Sequence, residues 1–180
     1  MKGNTRFALS VPEKRPFFLE GSDLYSTPYG LIYTRSIIDP LWGARATYRC
    51  ERADATVLTV ADRGGGFVLL PGTCYSDARA QGASQSTLAR ARLPFAALAG
   101  TGSFGALISD RNYDDGTTNR AASVDAQFKP NNETRLRVQV VGSETRDVIA
   151  GVASKRVNGD AMYADANYDS GTEHVWVNAT

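Results

Sequence analysis

Apolar and polar residues alternate with a period of two along most of this chain, the spacing of a β-strand with one apolar and one wet face. From Trp42 to Cys50, the residues Trp42, Ala44, Ala46, Tyr48 and Cys50 share one face, and Arg45, Thr47 and Arg49 share the other. Phe104, Ala106 and Ile108 oppose Ser103, Ser109 and Arg111, with Leu107 as the one apolar residue on the polar side. Ala122, Val124, Ala126 and Phe128 oppose Ser123, Asp125 and Gln127, and Leu136, Val138 and Val140 oppose Arg135, Arg137 and Gln139. Met162, Ala164, Ala166 and Tyr168 then oppose Tyr163, Asp165 and Asn167, and Val175 and Val177 oppose His174, Trp176 and Asn178. Turn-forming clusters separate these runs: Asp62-Arg63-Gly64-Gly65-Gly66, Asp114-Asp115-Gly116, Lys129-Pro130-Asn131-Asn132, Asn158-Gly159 and Asp169-Ser170-Gly171.

The pattern predicts about nine or ten strands joined as successive hairpins, most of them about 9 to 11 residues long, the length of a tilted membrane-spanning strand. Short connections such as Pro130-Asn131-Asn132 alternate with longer Gly-rich ones such as Pro71 to Ser84, as periplasmic turns alternate with outer loops. Arg45, Arg49, Arg90, Arg92, Arg111, Asp125, Arg135, Arg137 and Asp165 all fall on polar faces. A soluble antiparallel sheet with one wet face accounts equally well for any single strand. Across the set, however, the apolar faces are thin and rich in alanine, and no helical segment is evident to cover them. A lipid-facing band needs no cover. The expected fold is all-β: an antiparallel up-and-down meander that forms part of an outer-membrane-type β-barrel.

Composition narrows the alternatives. A chain of 180 residues suits one domain. Twenty Lys and Arg against nineteen Asp and Glu leave a formal charge of +1, so no basic excess points to nucleic acid. No apolar stretch approaches the roughly 18 to 20 residues of a membrane helix, which excludes a helical membrane protein. Seventeen glycines and eight tyrosines suit turns and extended segments. Cys50 and Cys74 permit one disulfide but lack zinc or redox spacing, and His174 stands alone, so neither a metal nor another cofactor is expected. Met1-Lys2-Gly3-Asn4-Thr5-Arg6 lacks the apolar core of a secretory signal.

The densest chemistry lies in Pro12-Glu13-Lys14-Arg15-Pro16-Phe17-Phe18-Leu19-Glu20-Gly21. Two prolines prevent a regular central strand. The segment is expected as a loop or inward-folded plug whose charges pair with lumen residues, a structural latch; a constriction that selects solutes is the alternative. Glu13 with Glu20, or Asp114 with Asp115, invites comparison with glycosidase carboxylate pairs, which stand about 5 to 9.5 Å apart. Nothing in the spacing fixes such a gap, and Asp114-Asp115-Gly116 is a turn by its residue types. No GxSxG elbow marks a nucleophile, and Gly64-Gly65-Gly66 lacks the Lys-Ser/Thr of a phosphate loop. Tyr25, Tyr29, Tyr33, Tyr48, Trp42 and Trp176 are candidates for interfacial girdles, or ordinary strand aromatics.

Several stretches resemble one family of bacterial envelope proteins. Asn4-Thr5-Arg6-Phe7, followed by the PEKRPFFLEG run of Pro12 to Gly21, is the most specific marker. Tyr33-Thr34-Arg35, Asp39-Pro40-Leu41-Trp42-Gly43-Ala44-Arg45, Ala61 to Gly66, Leu70-Pro71-Gly72, Asp110-Arg111 and Asn119-Arg120 extend the similarity, which weakens toward Thr180. The family joins an N-terminal family-9-like carbohydrate-binding module to a long C-terminal barrel-like domain of unknown function. The resemblance implies that this chain is an internal fragment of that domain, with the signal, the sugar module and further strands belonging to the missing parts of a parent chain. Sugar binding by the module is carried over to no residue here.

These readings combine into one expectation. Residues 1–180 form a single partial β-barrel domain, with a motif-bearing first strand and loop or plug over 1–29 and β-hairpins over 30–180. The protein is expected to be a non-enzymatic segment of a carbohydrate-associated envelope protein, in contact with lipid of a Gram-negative outer membrane and passing or binding a solute such as a carbohydrate. The lumen candidates are Glu13, Lys14, Arg15, Glu20, Arg45, Arg49, Asp125, Arg135, Arg137 and Asp165. The alternatives are a membrane-associated carbohydrate-active hydrolase using Glu13 or Glu20, and a soluble β-rich carbohydrate-binding module.

Overall fold

The computed structural model describes residues 13–179, apart from 33, 65–66, 72–75, 81, 98–99, 150–151 and 172. Asn4 to Phe7, Pro12, Tyr33, Gly65, Gly66, Gly72 and Cys74 therefore lie outside the described residues, and with them the question of a Cys50 to Cys74 bridge; Cys50 itself is exposed. Ten strands are described: β1 (Pro40–Cys50), β2 (Ala53–Asp62), β3 (Phe67–Pro71), β4 (Ser76–Ala80), β5 (Ser84–Ala97), β6 (Gly100–Tyr113), β7 (Thr118–Lys129), β8 (Thr134–Ile149), β9 (Val152–Asp169) and β10 (His174–Ala179). Eight of them form one sheet in the order β1-β2-β5-β6-β7-β8-β9-β10, and β3 pairs with β4 in a separate hairpin. Every pairing is antiparallel and joins neighbours in the meander. The sheet is open, with β1 and β10 at its edges.

Short connections follow Cys50, Ala97, Lys129 and Asp169 at one end, but also Tyr113 and Ile149 at the other, so the expected alternation of short with long connections does not hold along the meander. At the other end the chain between Asp62 and Ser84 is long and carries the β3-β4 hairpin. Pro71 to Ser84, expected as a Gly-rich loop, thus contains a strand. Asp114-Asp115-Gly116 forms the expected turn: Gly116 has φ +88°, and the Asp115 carboxylate accepts the Thr117 amide at 2.8 Å. Asn158-Gly159 does not turn. It lies inside β9, where Asn158 pairs with Glu144 and Gly159 with Ser143, and the hairpin reverses beyond Ile149 instead. The turn residues were overruled by the ladder, because β8 runs on to Ile149 and satisfies the backbone of Val152 to Val157.

The register puts like faces in rows. Thr56, Arg90, Leu107, Ser123, Val141 and Ala161 lie opposite one another across β2, β5, β6, β7, β8 and β9. This polar-residue face is the covered one. Residues 13–39 lie over it, with two single-turn helices, α1 (Pro16–Leu19) and α2 (Ser22–Tyr25), and a 3-10 turn (Thr34–Ser36). Phe18, Tyr25 and Ile37 from this segment pack with Leu58, Val60, Leu88 and Leu107 into one buried cluster. Leu107, the apolar exception in its strand, is β6's contribution to that seat, beside Leu58 and Val60 of β2 and Leu88 of β5.

The opposite face carries the apolar residues and is bare. Ile108 is 59 % exposed, Val124 61 % and Met162 62 %, and Val138, Val140 and Val57 stand out beside them. A water-soluble sheet buries this face and wets the other. Here the polarity is inverted.

Candidate functional site: the plugged polar face

The covered face is held together by ion pairs that the meander aligns. Arg90 on β5 reaches across β6 to Asp125 on β7 with two bonds of 2.5 and 2.9 Å, and both side chains are almost fully buried, at 3 % and 5 % exposure. Gly105 makes the crossing feasible: a Cβ there would sit 2.3 Å from the Arg90 guanidinium. Arg137 bonds Asp165 at 2.7 and 3.1 Å between β8 and β9, and Arg92 bonds Asp54 at 2.7 Å between β5 and β2. Of the expected lumen residues, the structure thus brings together Asp125 with Arg90, and Arg137 with Asp165. Arg135 is half-buried on the same face, and its Nε has no hydrogen-bond partner among the described residues.

The plug is fastened by the rest. Arg45 bonds the Glu20 carboxylate and two plug carbonyls, of Phe17 and Glu20, and Arg49 bonds Asp23 at 2.7 Å. The Tyr25 hydroxyl meets the Thr56 hydroxyl at 3.3 Å, and the Tyr29 amide donates to Gln139 Oε1 at 2.7 Å. Asp62 is the densest knot: its carboxylate accepts the amides of Ile38, Asp39 and Gly64 and a guanidinium nitrogen of Arg111. Arg111 in turn donates to Ser84 Oγ and to the Ser36 carbonyl. Arg90, Asp62, Asp23 and Gln139 escaped the sequence reading as site residues. A glycine at a polar-face position, Gly105, was the available signal, since glycine inside a strand marks close approach of another group.

Glu13 departs from the expected pairing with the wall. It is held within its own segment, accepting two bonds from the Arg15 guanidinium at 2.9 and 2.8 Å, the amides of Lys14 and Arg15, and the Thr34 hydroxyl at 2.7 Å. Arg15 also donates to the carbonyls of Ile37 and Thr34, so Glu13 and Arg15 clip the two ends of the plug together. Lys14 beside them is exposed. The Arg15 guanidinium, aided by these amides and the hydroxyl, holds the Glu13 carboxyl well below the usual carboxylate range, against the opposing effect of burial. A general acid of a glycosidase needs the reverse shift.

Because Glu13 binds its proton less readily when clipped than when released, its contribution is complete above the ordinary carboxylate range near pH ~4.3 and is lost as pH falls below it. The plug is therefore expected to loosen progressively below about pH 4, seen as a fall in amide-exchange protection, corrected for the intrinsic pH dependence of exchange, over residues 13–32 and 34–37. Glu13→Gln should exchange fast already at pH 7 and lose this pH dependence; an unchanged profile would refute the clip.

The bare face is banded. Near the short turns, the Phe95 ring lies 4.7 Å from Phe104 and 6.2 Å from Phe128, with Tyr48 and Tyr168 facing the same way by register. Toward the far end the same face carries the ion pairs Arg120 with Asp110 at 2.8 Å, and Arg156 with Glu144. Between them on β7 run only Ala122, Val124 and Ala126, whereas on β9 the exposed Asp160 stands level with Ala122. Phe128 to Ala122 spans six residues, about 20 Å along the strand. Of the candidate girdle residues, Trp42 and Tyr48 lie on this bare face, whereas Tyr25 belongs to the covering segment and is buried against the sheet.

Among the described residues no group of three or more His, Cys, Asp or Glu stands together as a metal centre. His174 is exposed and meets Asp169 at 3.1 Å beside the last turn. Comparison with protein-family models, with curated proteins and with solved structures finds no match.

Proposed function

We propose that this chain is wall and plug of an outer-membrane-type β-barrel: a non-enzymatic part of a Gram-negative envelope protein that holds or passes a solute. The observation that carries the reading is the inverted sheet. Its apolar face is bare while its charged face is paired, covered and packed. In water such an arrangement leaves a large apolar patch exposed, whereas in a bilayer the bare face meets hydrocarbon and the paired charges face the interior. The aromatic row and the charged row bracket the aliphatic band as interfacial girdles do; its length is on the short side of the roughly 25 Å typical of such barrels. The resemblance of Pro12 to Gly21 to a carbohydrate-associated envelope family supports the same assignment and suggests a carbohydrate-related solute. Closure of the wall into a complete barrel belongs to this proposal as well.

Trp42 reports directly on it. In a Trp176→Phe background, Trp42 is the remaining tryptophan and projects from the outer face of β1. Its fluorescence is expected to fall at least about twofold in vesicles whose acyl chains carry bromine, relative to unbrominated vesicles. A chain that stays monodisperse without detergent, with Trp42 unquenched, would overturn the membrane reading in favour of a soluble β-rich module. Solute passage is tested separately: planar bilayers holding the protein should show conductance that changes on charge reversal at Arg137.

A further inference from the structure

Between the plug and the sheet lies a cavity of about 340 Å³. The plug contributes Leu31 and Ile32 to one side, and the sheet contributes Ser86, Ser109, Arg111, Asn119 and Thr145 to the other. Space of this size holds roughly ten waters. Its hydrogen-bonding capacity is partly unspent: the Ser86 hydroxyl is buried without a partner among the described residues, and Asn119 donates its amide nitrogen to the Thr145 hydroxyl at 2.8 Å, a bond that uses neither the Asn119 carbonyl oxygen nor the Thr145 proton. Among the described residues that line the cavity, the one cation is already used. Arg111 is neutralised by Asp62 at 3.3 Å and donates to Ser84 and Ser36 as well.

From this lining we infer that the cavity is a binding site for a small uncharged ring bearing several hydroxyls, a monosaccharide or cyclic polyol. Hydroxyls of such a ring replace water at Ser86, Asn119 and Thr145, which offer both donors and acceptors. Its C–H face lies against Leu31 and Ile32, a division of polar and apolar contacts usual in ligand pockets. Charge is excluded by the same lining. A phosphate or carboxylate would lose its hydration to a site in which Arg111, the one guanidinium among the described lining residues, already has a carboxylate partner. The site goes beyond the membrane proposal, since it is built between plug and sheet whatever surrounds the outer face.

Saturation-transfer NMR of the whole chain in an amine-oxide detergent, free of sugar headgroups, tests this with glucose, myo-inositol and glucose 6-phosphate as probes. Transfer to the ring protons of glucose or myo-inositol is expected, with glucose 6-phosphate at least about tenfold weaker. Thr145→Val, which keeps the shape and removes the hydroxyl, should weaken binding about fivefold, and Ser109→Leu, which fills the space, should abolish it. Absence of transfer to both neutral rings, equal transfer to the phosphate, or signals unchanged in both variants would overturn the proposal. Quenching of Trp42 by lipid is read independently, so failure of this site and failure of the membrane reading are distinguishable.

Discussion

Asp125→Ala is expected to cost about 3–5 kcal/mol of stability, the largest effect of any single substitution in the wall. The reason lies in what it leaves behind. Arg90 would keep its charge at 3 % exposure, and its Nε has no hydrogen-bond partner even now, so the carboxylate supplies most of the compensation. Removing both partners avoids that stranded charge, and Arg90→Leu combined with Asp125→Ala should recover most of the loss. Denaturant unfolding of the four members of this cycle in detergent measures the coupling. A cost below about 1 kcal/mol for Asp125→Ala would show that water reaches the pair and that the plug does not seal this face. Gly105→Val attacks the same pair from beneath, because its side chain would take the space the guanidinium occupies.

Val124→Arg should separate lipid from water more sharply than any change on the covered face. Val124 lies midway in the aliphatic band of β7 and is 61 % exposed. In a bilayer an arginine near the midplane on a barrel's outer face costs about 2–4 kcal/mol, whereas an exposed position in a soluble protein tolerates the change within about 0.5 kcal/mol. The expected result is reduced folding into vesicles with little change for Gln127→Arg, whose position falls on the opposite face. Equal behaviour of the two variants would count against a lipid-facing band.

Alternation made the faces of the strands legible, since parity along a strand is a local property. Arg90, Arg137, Asp125 and Asp165 were all placed on the polar side by it, and the structure puts them there. Which polar residues touch was not legible, because partners such as Arg90 and Asp125 are set by the register of two hairpins. Pro12 and Pro16 marked a break in the strands, but four-residue helices are too short to show a helical period, so α1 and α2 left no trace in the pattern. Glu13 was expected to pair with the sheet, but a cation only two residues away in its own segment, Arg15, is its partner in space. At Asn158-Gly159 residue preference pointed to a turn, and pairing with β8 decided otherwise.

Two ion pairs on the covered face skip a strand. Arg90 reaches from β5 over β6 to Asp125, and Arg111 reaches from β6 over β5 to Asp62 on β2. Neighbouring strands lie about 4.8 Å apart, so each pair spans two such spacings, and it does so on one side of the sheet alone. Geometrically each is a chord. A chord shortened on one side draws the arc toward itself, so each of these two pairs favours a sheet that bends toward its covered face, whatever lies beyond its open edges.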